Sequence, residues 1–443
     1  MSNEEPENVE IIESQETSPI DEKTQKNYSI WKKNAPFLYD YVFTSSLIWP
    51  STTVQFLPDL EKLVTNADTS FTPKNKDSAE NDLVYQRLLI GSFTLGMGID
   101  TVSIYQLPYY RNLNKNLTID KLNFNPRKEE FELNNVSKLS ANQLQKINHK
   151  GDVNRLKYMP QNPDVIASAN NLGDLVIYDR TKHSNVFNSI NTDINEPQLR
   201  LVNSKNSVSD IFALDWNKQK EGVIVSGNMS GDINVHDIKR DFISKDSTKI
   251  STCSNYSNKN IGINDIEWEP NHDSLFYCVD DEGFIKLYDT RLDTNEFNVI
   301  SHNESPYGIN SLSINPKNSK CIATANVEGK TSIWDIRNFG TYKNEPLYRI
   351  QSHKDSITQL KWHPNFHNVL GSSSTDRLVK IFNVSNINDE NSGLFFTHSG
   401  HMLGVYDFDW SLHDEWMIAS VSDDNSFHVW KPCQNIVQNF KSI

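Results

Sequence analysis

Apolar and polar residues alternate along most of the chain, and a two-part pattern returns at a regular interval. Its first part is a short alternating run that ends in an aromatic residue and often a proline, as in residues 266–270 and 360–364. Its second part ends in an aromatic residue followed by aspartate, as in residues 177–179 and 333–335. Period-two alternation with frequent turn residues is typical of antiparallel strands rather than helices.

Six copies of the second part can be counted along the chain, and they are 46 to 58 residues apart. They end at residues 179, 237, 289, 335, 383 and 431. This interval suits one four-stranded blade with its loops. A seventh, degenerate copy is predicted from residues 49–56, 86–92 and 102–105, and seven units can close into a ring that leaves no open sheet edge. The sequence therefore predicts an all-β fold, a seven-bladed WD40-type β-propeller over residues 46–433.

The start of the chain does not follow the strand pattern. Residues 1–24 are charged and poor in apolar side chains, which predicts a disordered acidic tail. Aromatic and apolar residues then recur at helical spacing, so we expect an N-terminal α-helix over 25–45 that packs on the ring. Pro36 must kink this helix or begin a second one. A simple brace on the last blade would explain most of these aromatic residues. A short segment, 434–443, follows the ring.

Three stretches are predicted to lie outside the blades. Residues 65–82 and 108–148 are polar and lack strong periodicity, which predicts long surface insertions around the first blade. Residues 386–395, in the sixth repeat, are acidic but also contain apolar residues, and we expect a surface loop there. Loops on a rigid scaffold often contain the binding residues.

Composition and charge narrow the functional classes. The chain has 43 Lys and Arg against 57 Asp and Glu, a net charge of −14. Phosphate binding needs clustered cations, so we expect no direct contact with nucleic acid. Basic proteins are the natural partners of an acidic surface, although acidity also serves solubility alone. The four cysteines lack metal-site spacing and indicate a reducing compartment.

The start of the sequence shows no secretory signal, and no apolar run approaches the length needed to cross a membrane. We therefore expect no membrane contact and a location inside the cell, in the nucleus or the cytoplasm.

Sets of Ser, His and Asp could suggest a hydrolase, but their repetition favours another interpretation. His353 has Asp376 and Ser372 at suitable spacing, and His401 with Asp424 repeats the arrangement one blade later. Recurrence once per blade predicts a structural hydrogen-bond network. Residues 96–98 (Gly-Met-Gly) lack the third glycine of a dinucleotide fingerprint, and no His/Cys cluster has zinc spacing. We expect a non-catalytic binding platform with no cofactor and no metal.

Several segments resemble one family closely. Residues 28–59, with Ile-Trp-Lys-Lys-Asn-x-Pro-Phe-Leu-Tyr-Asp and Trp-Pro-Ser-x-Thr, are similar to the start of the retinoblastoma-binding-protein family of histone-binding WD40 proteins. Residues 152–163 and 353–355 resemble the same family, and the resemblance runs from about residue 25 to 433. The end of the chain, 398–432, is most similar to the fungal branch that serves as the small subunit of chromatin assembly factor 1.

The resemblance implies a histone H3–H4 chaperone subunit with two binding surfaces. The first is a groove on the side of the ring, between the N-terminal helix and the loop of the sixth blade, which takes the first helix of histone H4. The residues expected there are Ile30, Trp31, Phe37, Leu38, Asp389, Glu390, Leu394 and Ile436. A basic amphipathic helix would bury its apolar face in such a groove and set its cations against the carboxylates. The loop is shorter and less acidic than in animal relatives, which points to a different affinity or register.

The second implied surface is the top of the ring, which in relatives binds basic peptides, including the tail of histone H3. The matching residues are Asp152, Asn154, Arg155, Asp210, Phe212 and Asp423. Acidic or aromatic residues are replaced at four other positions, by Ile48, Asn264, Ser356 and Thr358. Fewer carboxylates predict weaker binding of tails at this face.

The sequence leaves the choice of complex open. The family joins assembly-factor, histone acetyltransferase and histone deacetylase complexes, so larger subunits of any of these are candidate partners. Residues 334–337 (Trp-Asp-Ile-Arg) also match the signature by which some propellers dock as substrate receptors on cullin-type ubiquitin ligases. Residues 288–291 are a near copy, and so short a motif arises readily from the repeat itself.

Overall fold

Seven sheets follow one another along the chain and form the blades of a propeller, as the repeat predicted. The structure is a computed structural model, and it describes residues 20–62, 83–110, 122–125, 130–133, 140–185, 193–201, 209–241, 249–250, 254–258, 260–292, 302–303, 305–339, 345–388 and 391–441. No helix in this described part of the chain is long and apolar enough to span a membrane.

Each blade has four antiparallel strands that follow one another from the central channel to the rim, and blade 2 has a fifth strand, Lys249–Ile250, which pairs parallel with Leu199–Leu201. Blade 1 contains Val54–Lys62, Leu83–Gly91, Asp100–Tyr110 and Asn142–His149. Blade 2 contains Val153–Met159, Asn162–Asn170, Leu175–Asp179 and Leu199–Leu201. Blade 3 contains Ile211–Trp216, Val223–Asn228, Asp232–Asp237 and Ser254–Ser257. Blades 4 and 5 contain Ile263–Trp268, Leu275–Asp280, Phe284–Asp289 and His302–Asn303; and Ile309–Ile314, Cys321–Asn326, Lys330–Asp335 and Tyr348–Gln351. Blades 6 and 7 contain Ile357–Trp362, Val369–Ser374, Val379–Asn388 and Asn391–His398; and Val405–Trp410, Ile418–Ser422, Ser426–Pro432 and Tyr39–Ser46.

The seventh blade takes its outer strand from the start of the chain, and this strand closes the ring. Tyr39–Ser46 pairs antiparallel with Ser426–Pro432. The prediction of helix over 25–45 is therefore wrong beyond Leu38. A bulge between Tyr39 and Tyr41 lets Tyr39 and Val42 pack on the same cluster, so apolar residues of a strand acquire the three-residue spacing of a helix.

The N-terminal helix spans Glu22–Leu38, and Asp21 caps it by accepting a hydrogen bond from the backbone N–H of Thr24 at 2.9 Å. The predicted disordered tail thus ends too late, because residues 22–24 are helical; residues 1–19 lie outside the described residues. The helix continues through Pro36, which lies in its last turn, so no second helix begins there. Asp21 and the buried Thr24 fix its start, where the sequence shows only a charged stretch.

The end of the chain forms a second helix, Gln434–Lys441, where the sequence predicted a short segment. Two hydrogen bonds hold its start against the junction of the N-terminal helix and the closing strand. The N–H of Cys433 donates to the carbonyl of Leu38 at 2.8 Å, and the N–H of Gln434 donates to Asp40 at 3.0 Å. The N-terminal and C-terminal helices therefore meet at the seventh blade.

Two of the predicted insertions contain regular structure. Within 108–148, Asn142–His149 is the outer strand of blade 1, and Leu122–Asn125 pairs with Glu130–Leu133 in a separate hairpin. The expected loop at 386–395 is the end of a β-hairpin, in which Asn388 pairs with Asn391. The stretch at 65–82 lies outside the described residues.

The repeated sequence pattern is explained by hydrogen bonds that join neighbouring blades. The tryptophan that ends an inner strand donates its indole N–H to a backbone carbonyl of the preceding blade: Trp216 to Lys157, Trp268 to Asp215, Trp362 to Ser313 and Trp410 to Lys361. Polar residues two positions apart on inner strands accept backbone N–H groups of the next blade: Thr53, Gln55, Asp265, Glu267, Ser311, Ser313, Asp407 and Asp409. The alternation therefore serves the joints between blades as well as the blades themselves.

Candidate functional site

The N-terminal helix, the hairpin of blade 6 and the C-terminal helix meet in one hydrophobic cluster. Its buried members include Trp31, Ala35, Tyr39, Phe396, Trp430 and Val437, and Leu38, Phe395 and Ile436 pack against it half-buried. Trp31 and Ala35 are four residues apart, so both point from one face of the helix into the ring. The cluster fixes these three elements relative to one another, which is what a preformed groove between them requires.

Three apolar side chains on these elements stay open to solvent. Ile30 is 49% exposed, Phe37 is 39% exposed and Leu394 is 46% exposed. Ile30 and Phe37 are seven residues apart, so they share the face of the helix that turns away from the buried cluster. Exposed large apolar residues on a fixed framework are typical of a binding surface.

The eight residues predicted for the groove fall into four groups. Ile30, Phe37 and Leu394 are exposed, while Leu38 and Ile436 are half-buried at the edge of the cluster. Trp31 is only 6% exposed, because its side chain points from the helix into the buried cluster. Its assignment to the open surface of the groove is therefore wrong, and its side chain anchors the helix to the ring. Asp389 and Glu390 lie outside the described residues.

On the top face, Asp152 is largely committed to holding loops. Its carboxylate accepts hydrogen bonds from the backbone N–H groups of Thr94 and Leu95 at 3.0 and 2.7 Å, and from the amide of Asn171 at 2.7 Å. The side chain is buried. Asp152 therefore supports the turn at residues 94–98, and its buried negative charge adds to the electrostatic potential of the surface above it.

Asn154 and Arg155 lie beside the central channel. Asn154 is 1% exposed, and neither polar atom of its amide has a hydrogen-bond partner among the described residues. A buried amide without partners costs free energy, which a polar group of a ligand would recover. Arg155 donates to the carbonyl of Phe212 at 3.2 Å and lies 3.9 Å from Asp407. Its guanidinium thus links blades 2, 3 and 7.

Asp210 and Asp423 supply the accessible negative charge among the predicted top-face residues. Burial raises the pKa of Asp210, and the nearby charge of Asp152 raises it further. Burial and the neighbouring Asp424 likewise raise the pKa of Asp423, which is exposed. A cationic ligand would therefore stabilise the charged form of both carboxylates. The side chain of Phe212 is half-buried, two residues after Asp210 in the sequence.

The Ser, His and Asp sets lie inside the blades. His353 bonds to both carboxylate oxygens of Asp376 at 3.0 Å and to the hydroxyl of Ser372 at 2.7 Å. In blade 7, Ser426 is inserted between His401 and Asp424, and His401 also bonds to Ser420 at 2.7 Å. The imidazoles are buried, and these bonds tie the strands of a blade to its top turn. The geometry agrees with the structural interpretation.

The two Asp-x-Arg sites are on the surface. Arg337 and Arg291 each form a bidentate ion pair with the aspartate two residues earlier, Asp335 and Asp289. Both guanidinium groups are largely exposed. Since the pair closes the turn at the end of its strand, a local structural role suffices to explain the motif.

Comparison with known proteins agrees with this geometry. The histone-binding protein MSI1 of Saccharomyces cerevisiae is 34% identical over 450 residues, which cover 97% of this chain and 98% of the relative. The chain belongs to the family of histone-binding WD40 proteins. The family model described as histone-binding protein RBBP4, or a subunit of the CAF1 complex, matches residues 26–111, and the WD-repeat model matches residues 344–383 and 393–431.

A second relative of this histone-binding family is subunit 2 of a type B histone acetyltransferase from Debaryomyces hansenii. It is 25% identical over 431 residues, which cover 95% of this chain and 93% of the relative. The resemblance inferred from the sequence motifs is confirmed. The match of the first model to residues 26–111 covers the N-terminal helix, the closing strand and most of the described part of blade 1.

Sequence reasoning missed three residues beneath the N-terminal helix. Tyr39, His398 and His428 are buried and bonded to one another in a row. Tyr39 and His398 lie in segments already noted for their motifs, but their proximity depends on the closing strand, which was predicted to be helix. No spacing in the sequence indicates a contact across 359 residues.

Proposed function

We propose that this chain is a histone H3–H4 chaperone subunit of a chromatin assembly complex, that it acts in replication-coupled nucleosome assembly in the nucleus, and that it is a non-catalytic scaffold. The family and its relatives, one a histone-binding protein and one an acetyltransferase subunit, support this proposal. Its partners are then histones H3 and H4 and the larger subunits of the complex, and it needs no direct contact with nucleic acid.

One observation carries the assignment of the groove. Ile30 and Phe37 on the helix and Leu394 on the hairpin are exposed, and the elements that hold them share one buried cluster. A fixed groove with apolar walls suits the apolar face of an amphipathic helix such as the first helix of histone H4. Lysine and arginine residues of that helix would pair with Asp389 and Glu390, the two acidic residues that separate the strands of the hairpin in the sequence.

The experiment is titration of a peptide of the first H4 helix against the double variant Ile30→Asp, Phe37→Asp. Each apolar side chain that a partner covers contributes about 1.5 kcal/mol or more, so the affinity should fall by roughly a hundredfold. Because both side chains are partly exposed, the thermal unfolding transition should stay cooperative and its midpoint should fall only slightly. The variant should still bind a peptide of the H3 tail, which we assign to the top face.

Leu347→Asp is the matched control for this experiment. Leu347 is 50% exposed, as open as Ile30, but it lies on the rim of blade 5. Its replacement should leave the affinity for the H4 peptide unchanged. The groove assignment fails if the double variant binds the peptide normally, or if Leu347→Asp weakens binding equally.

We place the binding of basic tails at the top of the ring, with a reduced set of groups. Asp210 and Asp423 would face cations of the tail, and the unpaired amide of Asn154 would bond to a polar group at the channel mouth. Asp152 and Arg155 are held by the protein itself and contribute mainly through their charge.

A second candidate is a histone-binding subunit of a histone acetyltransferase complex, which the relative from Debaryomyces hansenii favours. Both functions use the same groove and differ only in the larger partner. Affinity purification of the tagged full-length chain distinguishes them, because a large assembly-factor subunit and an acetyltransferase catalytic subunit differ in identity.

A further inference from the structure

A row of hydrogen bonds runs from the N-terminal helix into blade 7. The indole N–H of Trp31 donates to the hydroxyl oxygen of Tyr39 at 3.0 Å. That hydroxyl lies 2.8 Å from Nδ1 of His398, whose Nε2 lies 3.1 Å from Nδ1 of His428. All four side chains are buried, and the ring of Trp31 lies nearly parallel to that of His428, with 5.9 Å between centroids. We call Trp31, Tyr39, His398 and His428 the relay.

The relay has only one arrangement of protons that satisfies every group. The indole of Trp31 can only donate, so the hydroxyl of Tyr39 accepts from it and has its own proton left to donate. Its one other partner in the relay is Nδ1 of His398, which must therefore carry no proton. A neutral His398 then holds its proton on Nε2 and donates to Nδ1 of His428. Both imidazoles are consequently neutral acceptors at Nδ1.

Burial lowers the pKa of His398 and of His428 well below the ordinary value, and the nearby imidazole of His401 lowers both further. The titratable groups that face them are His401, Asp424 and the hydroxyl of Tyr39, whose pKa burial raises. Burial therefore keeps both imidazoles in the neutral form that the relay needs.

A metal ion is the obvious alternative use of these histidines. In the described part of the chain, His398, His401 and His428 each bring a ring nitrogen within 4.8 Å of the others. However, His401 and His428 lie face to face, with 3.9 Å between centroids and 15° between planes. Lone pairs of imidazole lie in the plane of the ring, so those of two stacked rings point side by side and do not converge on one ion. Both nitrogens of His398 are already used in the relay.

We propose that Tyr39, His398 and His428 are positioning residues of the histone-binding groove: their relay fixes Trp31 and thereby holds the N-terminal helix, which forms one wall of the groove, at a set place on blade 7. This inference rests on the proposed function for its consequence, binding of an H4 helix, but not for its structural claim. The hydrophobic cluster fixes the depth of the helix, since apolar contact is not directional. A row of directional bonds fixes its rotation and register.

Tyr39→Phe tests the relay, because it keeps the ring in the cluster and removes the hydroxyl that joins Trp31 to His398. Two quantities are measured on the full chain: hydrogen exchange of the backbone amides of residues 22–38, and affinity for the H4 helix peptide. We expect exchange in 22–38 to become at least about tenfold faster and affinity to fall about fivefold to tenfold, as for one lost buried hydrogen bond or slightly more. Exchange in blades 2 to 5 should not change.

Tyr41→Phe is the matched control. It makes the same chemical change on the same strand, but the hydroxyl of Tyr41 donates to the carbonyl of Pro108 in blade 1. It should leave both quantities as they are. A second pair of variants tests rescue at the far end of the relay: His428→Leu removes the acceptor, whereas His428→Gln offers an amide oxygen to Nε2 of His398. Gln should restore slow exchange in 22–38 and Leu should not.

The two levels of the proposal can fail separately. If exchange in 22–38 is the same in Tyr39→Phe, Tyr41→Phe and the unaltered protein, the relay does not position the helix and the inference is overturned. If exchange responds as expected but the unaltered protein does not bind the H4 peptide, the relay stands and the groove assignment fails. Equal exchange in His428→Leu and His428→Gln contradicts the part assigned to His428.

Discussion

Gly393 shows how one residue shapes the groove. It lies in the hairpin of blade 6 beside Leu394, with a φ of +71°, in the left-handed region. A Cβ atom there would lie 2.4 Å from the carbonyl oxygen of Asn383 on the paired strand. The backbone conformation and the close approach both require glycine. The hairpin conformation that leaves Leu394 exposed thus depends on the absence of a side chain at the preceding residue.

Gly393→Ala should destabilise the protein by about 2–4 kcal/mol, through the left-handed backbone together with the clash. Gly96→Ala is the control, since Gly96 has a φ of +75° but open space around the missing Cβ. Its cost should stay near 1–2 kcal/mol, from the backbone alone. Urea denaturation followed by tryptophan fluorescence measures both. Equal costs would mean that the approach of Asn383 relaxes freely.

At the scale of elements, the weakest joint of a ring is expected where its two ends meet, and here polar bonds reinforce it. Asp407 and Asp409 of blade 7 accept the N–H groups of Val54 and Phe56 in blade 1. Lys361 of blade 6 lies 2.9 Å from Asp407. Carboxylates also accept N–H groups between blades 4 and 5, as Asp265 does for Leu312, whereas between blades 5 and 6 the acceptor is a neutral hydroxyl, as Ser313 is for Trp362. The pairing of the closing strand, Tyr39–Ser46, with Ser426–Pro432 adds a second connection at the rim.

Asp407→Ala should cost about 2–3 kcal/mol, because Asp407 is buried and its loss leaves the N–H group of Val54 without its acceptor and Lys361 with only the more distant carboxylate of Asp409, at 3.5 Å. Ser313→Ala removes the matching neutral bond and should cost about 1 kcal/mol. The comparison uses midpoints of denaturation for the two variants. If the two substitutions cost the same, the ion pair adds nothing to ring closure.

Over the whole molecule, buried neutral histidines set the response to acid. Burial lowers the pKa of His363 to about 4 and lowers the pKa of His149, His353, His398 and His428 as well. In the unfolded chain these groups have ordinary pKa values near 6.5, so below that pH the unfolded chain binds more protons. Their contribution to stability is complete above about pH 7 and is lost as the pH falls toward the lowered values. Burial raises the pKa of Asp100 to about 6 and also raises the pKa values of Asp210, Glu267, Asp409 and Asp423, and these carboxyls act in the opposite direction.

The thermal midpoint should therefore be level between about pH 7 and 8 and fall steeply between about pH 6.5 and 4. His363 alone accounts for up to about 3 kcal/mol of that loss. His363→Gln should be less stable near neutral pH, since it loses the bonds to Glu415, Asn365 and Phe366, but its slope in the acidic range should be smaller. An unaltered protein equally stable in mild acid and at neutral pH would contradict this account.

The sequence by itself determined the ring and its family. Seven copies of an alternating pattern must bury one face of each strand, and stacked blades are the way to do so without open edges. The motif at residues 30–40 is specific enough to indicate the family without any knowledge of its contacts. The repeated Ser, His and Asp sets indicated internal networks for the same reason, since their partners lie within one blade.

Tertiary structure alone decided which side chains of the N-terminal helix are exposed and which strand closes the ring. Trp31 and Phe37 look alike in sequence, but packing on blade 7 buries the first and leaves the second open. The helix stops at Leu38 because pairing with Ser426–Pro432, near the other end of the chain, gives the next residues a strand partner. Local periodicity carries no information about such a partner. The hydrogen bonds that join Tyr39, His398 and His428 form only when that pairing is made.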